Sequence, residues 1–336
     1  MSNEIRQREP IYDLLKGVGI ILVVLGHITL DLQLANVIYS FHMPLFFFVS
    51  GMLYRTKEKF IVKQAKGLLV PYVLFSVLSF VYWCFVELRF REKREGTTVL
   101  EQFINIFYPM NMEGCYEFNI VLWFLPCLFV TSVLYHVVKK NMKSQYTDAI
   151  LLIITIIIAQ FLVIKIPFFI SESMFALPFF VAGRLFSGEK EKNNSCIFHK
   201  NNYGVLIGLF VAVIAIGYVL LTGIRNDMLC GIYSKGYLSF FVCAICIIYS
   251  LYVCLSKVKK VTALQWMGMN SLGIMLVHEP VKRIVVKLYS VVVSEPVNFV
   301  RESYTHTFVI LIIIVCVSSG ITCLINKYAK FAFGKF

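Results

Sequence analysis

Residues 11–54 read IYDLLKGVGIILVVLGHITLDLQLANVIYSFHMPLFFFVSGMLY. Two apolar runs, each near the ~20 residues that span a bilayer, are separated by a short polar stretch around Asp31–Ala35. In lipid only a helix satisfies its backbone polar groups within one segment, so each run reads as a transmembrane helix. Similar runs recur along the chain, at about 11–30, 36–54, 68–88, 119–138, 149–165, 170–186, 204–222, 236–255, 262–280 and 307–326. The whole composition agrees with this reading. Of 336 residues, 59% are hydrophobic and 15% charged, and the mean hydropathy is +0.77. A soluble domain carries about 25% charged residues. The expectation is an all-α, polytopic transmembrane bundle of about ten spans, one integral membrane domain over 1–336. The first run carries Asp13 and Lys16 and lacks a small-residue cleavage site, so it is expected to stay as the first span.

The loop charges give the bundle a direction. One side receives Arg6, Arg8, Arg55, Lys57, Lys59, Lys63, Lys66, Lys139, Lys140, Lys143, Lys190, Lys192, Lys200, Lys257, Lys259, Lys260, Lys327, Lys330 and Lys335, with Arg184 at that end of the sixth span. The other receives fewer: Arg89, Arg91, Lys93, Arg94, Lys165, Arg225, Lys235, Lys282, Arg283, Lys287 and Arg301. Lys and Arg collect in cytoplasmic loops, so both termini are expected to be cytoplasmic. The net charge of +13 is therefore mainly an orientation signal and no argument for nucleic acid. A basic inner face also suits an anionic, phosphate-bearing ligand. The cysteines lie mostly inside apolar runs, where they act as small hydrophobes.

Ionisable groups inside a span cost ~2.5–3.5 kcal/mol each at the helix centre and usually mark a functional path. The first span holds Asp13, Lys16 and His27. Eleven residues at 100° each return Lys16 and His27 to within ~20° of one face, ~16 Å apart along the axis. Asp13 lies one turn below Lys16 and can pair with it. An alternative is that Asp13 and Lys16 snorkel to the inner interface while His27 bonds a neighbouring backbone. His42 opens the second span at a depth similar to His27, and Ser50-Gly51 lets another helix approach closely. The ninth span ends with His278, Glu279 and Pro280, with Asn270 two turns earlier on a second polar stripe. His136, His199 and His306 read as solvated residues in or near loops, and no spacing resembles a metal site.

Taken in order, five pieces resemble the acyltransferase-3 family of membrane acyltransferases, in particular the branch similar to fucose 4-O-acetylases of bacterial polysaccharide synthesis. They are Lys16-x10-His27 after Asp13, the string Phe41 to Gly51, Lys66 to Tyr72, Leu122-Trp123-Phe124-Leu125, and Gly268 through His278. Many members carry Arg where this chain has Lys16, which keeps the charge but loses the planar fork. The resemblance implies a protein of the bacterial inner membrane that moves an acetyl or other acyl group from cytoplasmic acyl-CoA, a co-substrate rather than a resident cofactor. The acceptor would be a hydroxyl of a glycan or lipid-linked saccharide. On that basis His27 is the expected base, oriented by His42 or Glu279, with Lys16 and Asp13 guiding the donor or holding developing charge. Arg55, Lys57, Lys59, Lys63, Lys66 and Arg184 would grip the CoA phosphates, and Trp123, Asn270, His278 and Glu279 would face the acceptor. The rival expectation is a transporter or flippase for a glycolipid or polyanion, since buried charges also serve proton-coupled transport.

The loop asymmetry generates a direct test. A green fluorescent protein fused after Phe336 should fluoresce, and alkaline phosphatase at the same point should be inactive; the reverse pattern would overturn the cytoplasmic assignment.

Overall fold

The computed structural model describes residues 9–56, 58–89, 98–109, 116–142, 144–192, 202–258 and 261–335, with the side chains of 189–192 and 202 left aside. Arg6, Arg8, Lys57, Arg91, Lys93, Arg94, Lys143, His199, Lys200, Lys259 and Lys260 lie outside the described residues, as do the side chains of Lys190 and Lys192.

Helix α1 (Pro10–Ile28) starts at a proline, whose fixed φ suits a first helical position, and stops where Thr29 turns extended. The expected second span is not continuous. Asp31 caps a short α2 (Leu32–Tyr39) by accepting from the Leu34 N–H at 2.7 Å. The chain then breaks at Ser40–Phe41 and resumes as α3 (His42–Met52). Next come α4 (Phe60–Gln64), a π-helical turn over Ala65–Leu69, and α5 (Val70–Phe85). The amphipathic α6 (Val99–Phe107) opens on a capping box between Thr98 and Glu101. A 3-10 turn, Ile120–Trp123, leads into α7 (Phe124–Asn141), followed by α8 (Thr147–Phe161), α9 (Ile170–Lys192) and α10 (Asn202–Thr222). The strands β1 (Asn226–Asp227) and β2 (Ile232–Tyr233) form a two-residue antiparallel hairpin before α11 (Tyr237–Ser256).

The ninth span departs most from expectation. It divides into α12 (Thr262–Met269) and α13 (Ser271–Val293), and α13 runs well beyond Pro280. Lys282, Arg283 and Lys287, expected in a loop, are therefore helical. Proline lacks the N–H that would bond the Leu276 carbonyl four residues back. Asn119 supplies the missing donor, its Nδ2 reaching Leu276 O at 3.1 Å and Ser79 Oγ at 3.2 Å. With that carbonyl satisfied, the helix continues through the proline. α14 (Val297–Glu302) and α15 (Tyr304–Tyr328) complete the bundle.

Among the described residues, seven helical stretches are long and apolar enough to cross a membrane. α8 is apolar but has only 15 residues, α9 carries Glu172 and Arg184, and α13 carries Glu279, Lys282 and Arg283, which pair inside the bundle. The architecture is an all-α membrane bundle, and the chain is a multi-pass membrane protein. α1 runs through its centre, packed on α3, α11, α12, α13 and α15; 67% of its most apolar 18-residue stretch is buried, against 22% for that of α10. Large apolar side chains on the outer helices, among them Ile153, Val213, Leu221 and Phe308, point outward where lipid replaces water.

Glycine sets the closest helix contacts. A Cβ added at Gly51 of α3 would lie 1.9 Å from Phe180 O, and one at Gly183 of α9 would lie 2.0 Å from Phe48 O. The same reciprocity joins α1 to α12: Gly17 faces Leu264 O at 2.2 Å and Gly268 faces Asp13 O at 1.8 Å on the same measure. Between apolar helices in lipid, packing rather than water exclusion drives association, so backbone approach at small residues carries the contact. Gly51→Ala and Gly183→Ala should each destabilise the protein by roughly 1–3 kcal/mol through overpacking. Gly217→Ala, in open space, should not. Thermal melts of the three variants in detergent make the comparison, and equal melts would show that the contact yields without cost.

Candidate active site

The polar residues of α1 divide between its two ends. Near its start, Lys16 Nζ lies 3.5 Å from Asp13 Oδ1, both side chains largely enclosed. The pair is an i,i+3 contact on one face, as the spacing implies. Two turns beyond Gly19 the helix reaches His27, half-buried, whose ring lies 5.5 Å centroid to centroid from the fully buried His278 of α13. The tertiary fold thus joins two histidines 251 positions apart in the chain.

The tautomer of His278 follows from its neighbours. Its Nδ1 lies 2.8 Å from Met275 O, and a carbonyl can only accept, so Nδ1 carries the proton. Nε2 then holds a lone pair, and it is buried without a hydrogen-bond partner. His42 is fixed the same way, with Nδ1–H donating to Ile38 O at 2.8 Å and its ring edge-on to Tyr39.

Glu279 stands next to these rings and is 3% exposed. An isolated carboxylate there would be prohibitively costly, and the helix itself supplies the remedy. Lys282, one turn on, donates to Oε1 at 2.8 Å and lies within ion-pair distance of Oε2 at 2.7 Å, and Arg283 Nε also donates to Oε1 at 3.0 Å. The Arg283 fork continues outward, one Nη donating to Glu87 and the other to Glu117 O at 2.7 Å. Arg301 closes the far side by holding the end of α1: Nε donates to Ile28 O at 2.8 Å and Nη2 to His27 O at 3.3 Å. Beside this network opens a cavity of about 750 Å³ lined by Glu87, Glu279, Lys282, Arg283, Lys287 and Arg301 together with Tyr82, Val86, Ile284, Val286, Leu288 and Val297.

A second cavity, of about 330 Å³, lies at the opposite end of the bundle, where α3 ends. Arg55, Lys63 and Gln64 line it with Ser50, Ser132, Tyr54 and Phe60. Its floor is aromatic: Tyr54 OH and His136 Nδ1 share a hydrogen bond of 2.8 Å, and His136 stacks on Phe60 at 4.5 Å. His136 is therefore a packed helix residue and not a solvated one. His306 is likewise engaged, bonded to Tyr289 OH at 2.9 Å.

The residues expected to form one site are distributed as follows. His27, His278 and Glu279 come together, with His42 nearby. Asp13 and Lys16 pair toward the other end of α1. Arg55 and Lys63 share the second cavity, whereas Lys59 and Lys66 are exposed beside it and do not line it. Arg184 is half-buried next to Tyr135, with Nη1 enclosed and unbonded. Trp123 is buried in the 3-10 turn, edge-on to Phe124 and off the cavity wall. Asn270 caps the break between α12 and α13, donating to Trp266 O and accepting from Asn326 Nδ2, and does not reach the cavity. Sequence reading missed Glu87, Asn119 and Arg301 as members of this site. The i,i+3 and i,i+4 spacing of Lys282 and Arg283 from Glu279 was a usable signal; the reach of Glu87 and Arg301 was not visible at all.

A model of the acyltransferase-3 family, described as an acyltransferase domain, matches residues 10–326. The match covers nearly the entire chain, so the chain belongs to that family and is a membrane acyltransferase. No curated protein and no solved structure matches it.

The charge network generates its own test. Arg283→Met would leave two buried carboxylates short of a partner and should cost ~3–5 kcal/mol. Lys287→Met, at an exposed position, should leave the melting temperature unchanged. Thermal unfolding of the purified protein distinguishes them; equal melts would mean that Arg283 is not holding the network.

Proposed function

We propose that the protein transfers an acetyl group from cytoplasmic acetyl-CoA to a hydroxyl of a glycan or lipid-linked saccharide, as in the fucose 4-O-acetylase-like branch of its family. The observation that carries this reading is the His27–His278–Glu279 cluster, set behind a cavity at one end of α1 while the Arg55–Lys63 cavity lies at the other. Acyl transfer from a soluble, highly anionic donor to an acceptor on the far side needs two such openings.

His27 is the base. It withdraws the proton from the acceptor hydroxyl as that oxygen attacks the thioester carbonyl, forming the new C–O bond. Collapse of the tetrahedral intermediate breaks the C–S bond, and the CoA thiolate leaves and takes the proton held on His27, which restores the neutral base. His278 and Glu279 set the local polarity, and Glu279 stabilises the imidazolium formed on His27. Lys16, held by Asp13 on the same face of α1, offers positive charge along the donor's route, and Arg55 and Lys63 offer it to the CoA phosphates. His42 supports the depth at which the chain turns back into the bundle.

Two substitutions test the assignment in purified protein supplied with radiolabelled acetyl-CoA and cellular glycan. His27→Ala should abolish label transfer, a loss of at least ~10²-fold for a missing general base, while the protein still inserts and accumulates. Lys16→Ala should weaken acetyl-CoA use more than it lowers thermal stability. Near-normal transfer by His27→Ala would remove the base from α1, and vectorial glycan movement without label would favour a transporter.

A further inference from the structure

The larger cavity holds more positive charge than its buried carboxylates require. Four cations, Lys282, Arg283, Lys287 and Arg301, share its lining with two carboxylates, Glu87 and Glu279. Lys282 and Arg283 are committed to those carboxylates. Arg301 meets only the backbone carbonyls of His27 and Ile28, and among the described residues neither it nor Lys287 has a carboxylate at ion-pair distance. Arg301 feels Glu279 only beyond ion-pair distance, and that carboxylate is already held by Lys282 and Arg283, so the guanidinium keeps capacity for an anion.

The rest of the lining is apolar and open to the side. Val86, Ile284 and Leu288 are 41%, 45% and 60% exposed on the surface of a lipid-embedded bundle. A water-soluble glycan gains nothing from such a wall, whereas a hydrocarbon chain does. One kind of molecule satisfies both halves: an apolar chain carrying an anionic head.

We infer that this cavity receives a lipid-phosphate-linked saccharide. Its phosphate sits between Arg301 and Lys287, and its chain leaves along Val86, Ile284 and Leu288. Arg301 also holds the backbone carbonyl of His27, so a phosphate bound there lies at the end of α1 that carries the base. The hydroxyl acetylated is then on the phosphate-proximal sugar. The inference deepens the acyltransferase reading and rests on it.

The test uses the full chain in phosphatidylcholine nanodiscs, titrated with a polyprenyl phosphate or with the uncharged polyprenol and followed by native mass spectrometry. The phosphate should bind at least about tenfold more tightly than the alcohol. Arg301→Gln and Lys287→Gln should each weaken the phosphate about tenfold while leaving the alcohol and acetyl-CoA unaffected. Lys287 is exposed and braces nothing, so its variant remains informative if Arg301→Gln loosens α1. Equal binding of phosphate and alcohol, or unchanged phosphate affinity in both variants, overturns the inference. So does displacement of the polyprenyl phosphate by phosphatidylglycerol at comparable concentration, which would make the cavity a general headgroup site. Selective phosphate binding without acetyl transfer to any lipid-linked saccharide supports the site and counts against the acyl-transfer reading alone.

Discussion

A buried carboxylate has to be neutralised, and in this protein that requirement organises one end of the bundle. Glu279 is enclosed in a helix whose neighbours are apolar, so Lys282 and Arg283 one turn later turn back to meet it. Arg283 then has fork nitrogens left over, and these draw in Glu87 from the end of α5 and the Glu117 carbonyl from the segment before α7. Three segments far apart in the chain are fixed around one charge. The arrangement is demanding, because loss of any partner strands another charge in a low-dielectric interior. It also gives a rigid wall against which the two histidines are held.

The same end depends on a proline that the helix survives. Pro280 removes the N–H that Leu276 O needs, and Asn119 replaces it from the 3-10 turn before α7. Without that bond the helix has a reason to end at residue 279, leaving Lys282 and Arg283 out of register with the carboxylate. The proline, the asparagine and the ion network are therefore one structural unit. At the other end the contacts are of a different kind, with paired glycines pressing α1 on α12 and α3 on α9 backbone to backbone. The distance between the two ends follows from the length of α1.

These features make a bundle with two unlike openings. One is small, with Arg55, Lys63 and an aromatic floor. The other is larger and amphipathic, with surplus cations beside an apolar flank and a histidine pair behind them. The first has the chemistry of a site for a soluble polyanion, the second that of a site for an amphiphile. On the proposed reading a water-borne donor meets its acceptor along α1, the helix that carries both Lys16 and His27 and runs between the two openings.

Composition and hydrophobic run length alone determined that the chain is an all-α membrane bundle, because no other backbone satisfies itself across so many apolar segments. Helical periodicity alone placed Asp13, Lys16 and His27 on one stripe, and Ser50-Gly51 was legible as a close-contact point because only small residues allow backbones to touch. The pairing of His27 with His278 was decided by tertiary structure, since contacts between distant helices leave no trace in local spacing. So was the course of the chain past Pro280: the proline is a local stop signal, and only Asn119, over 150 residues earlier, cancels it. The placement of Asn270 was hidden for a related reason. A polar residue two turns from a histidine looks like part of its site until the break between α12 and α13 turns it into a cap. Local chemistry could name the charged residues, but which charges neutralise one another and which stay free to meet a ligand depends on distances that only the folded bundle sets.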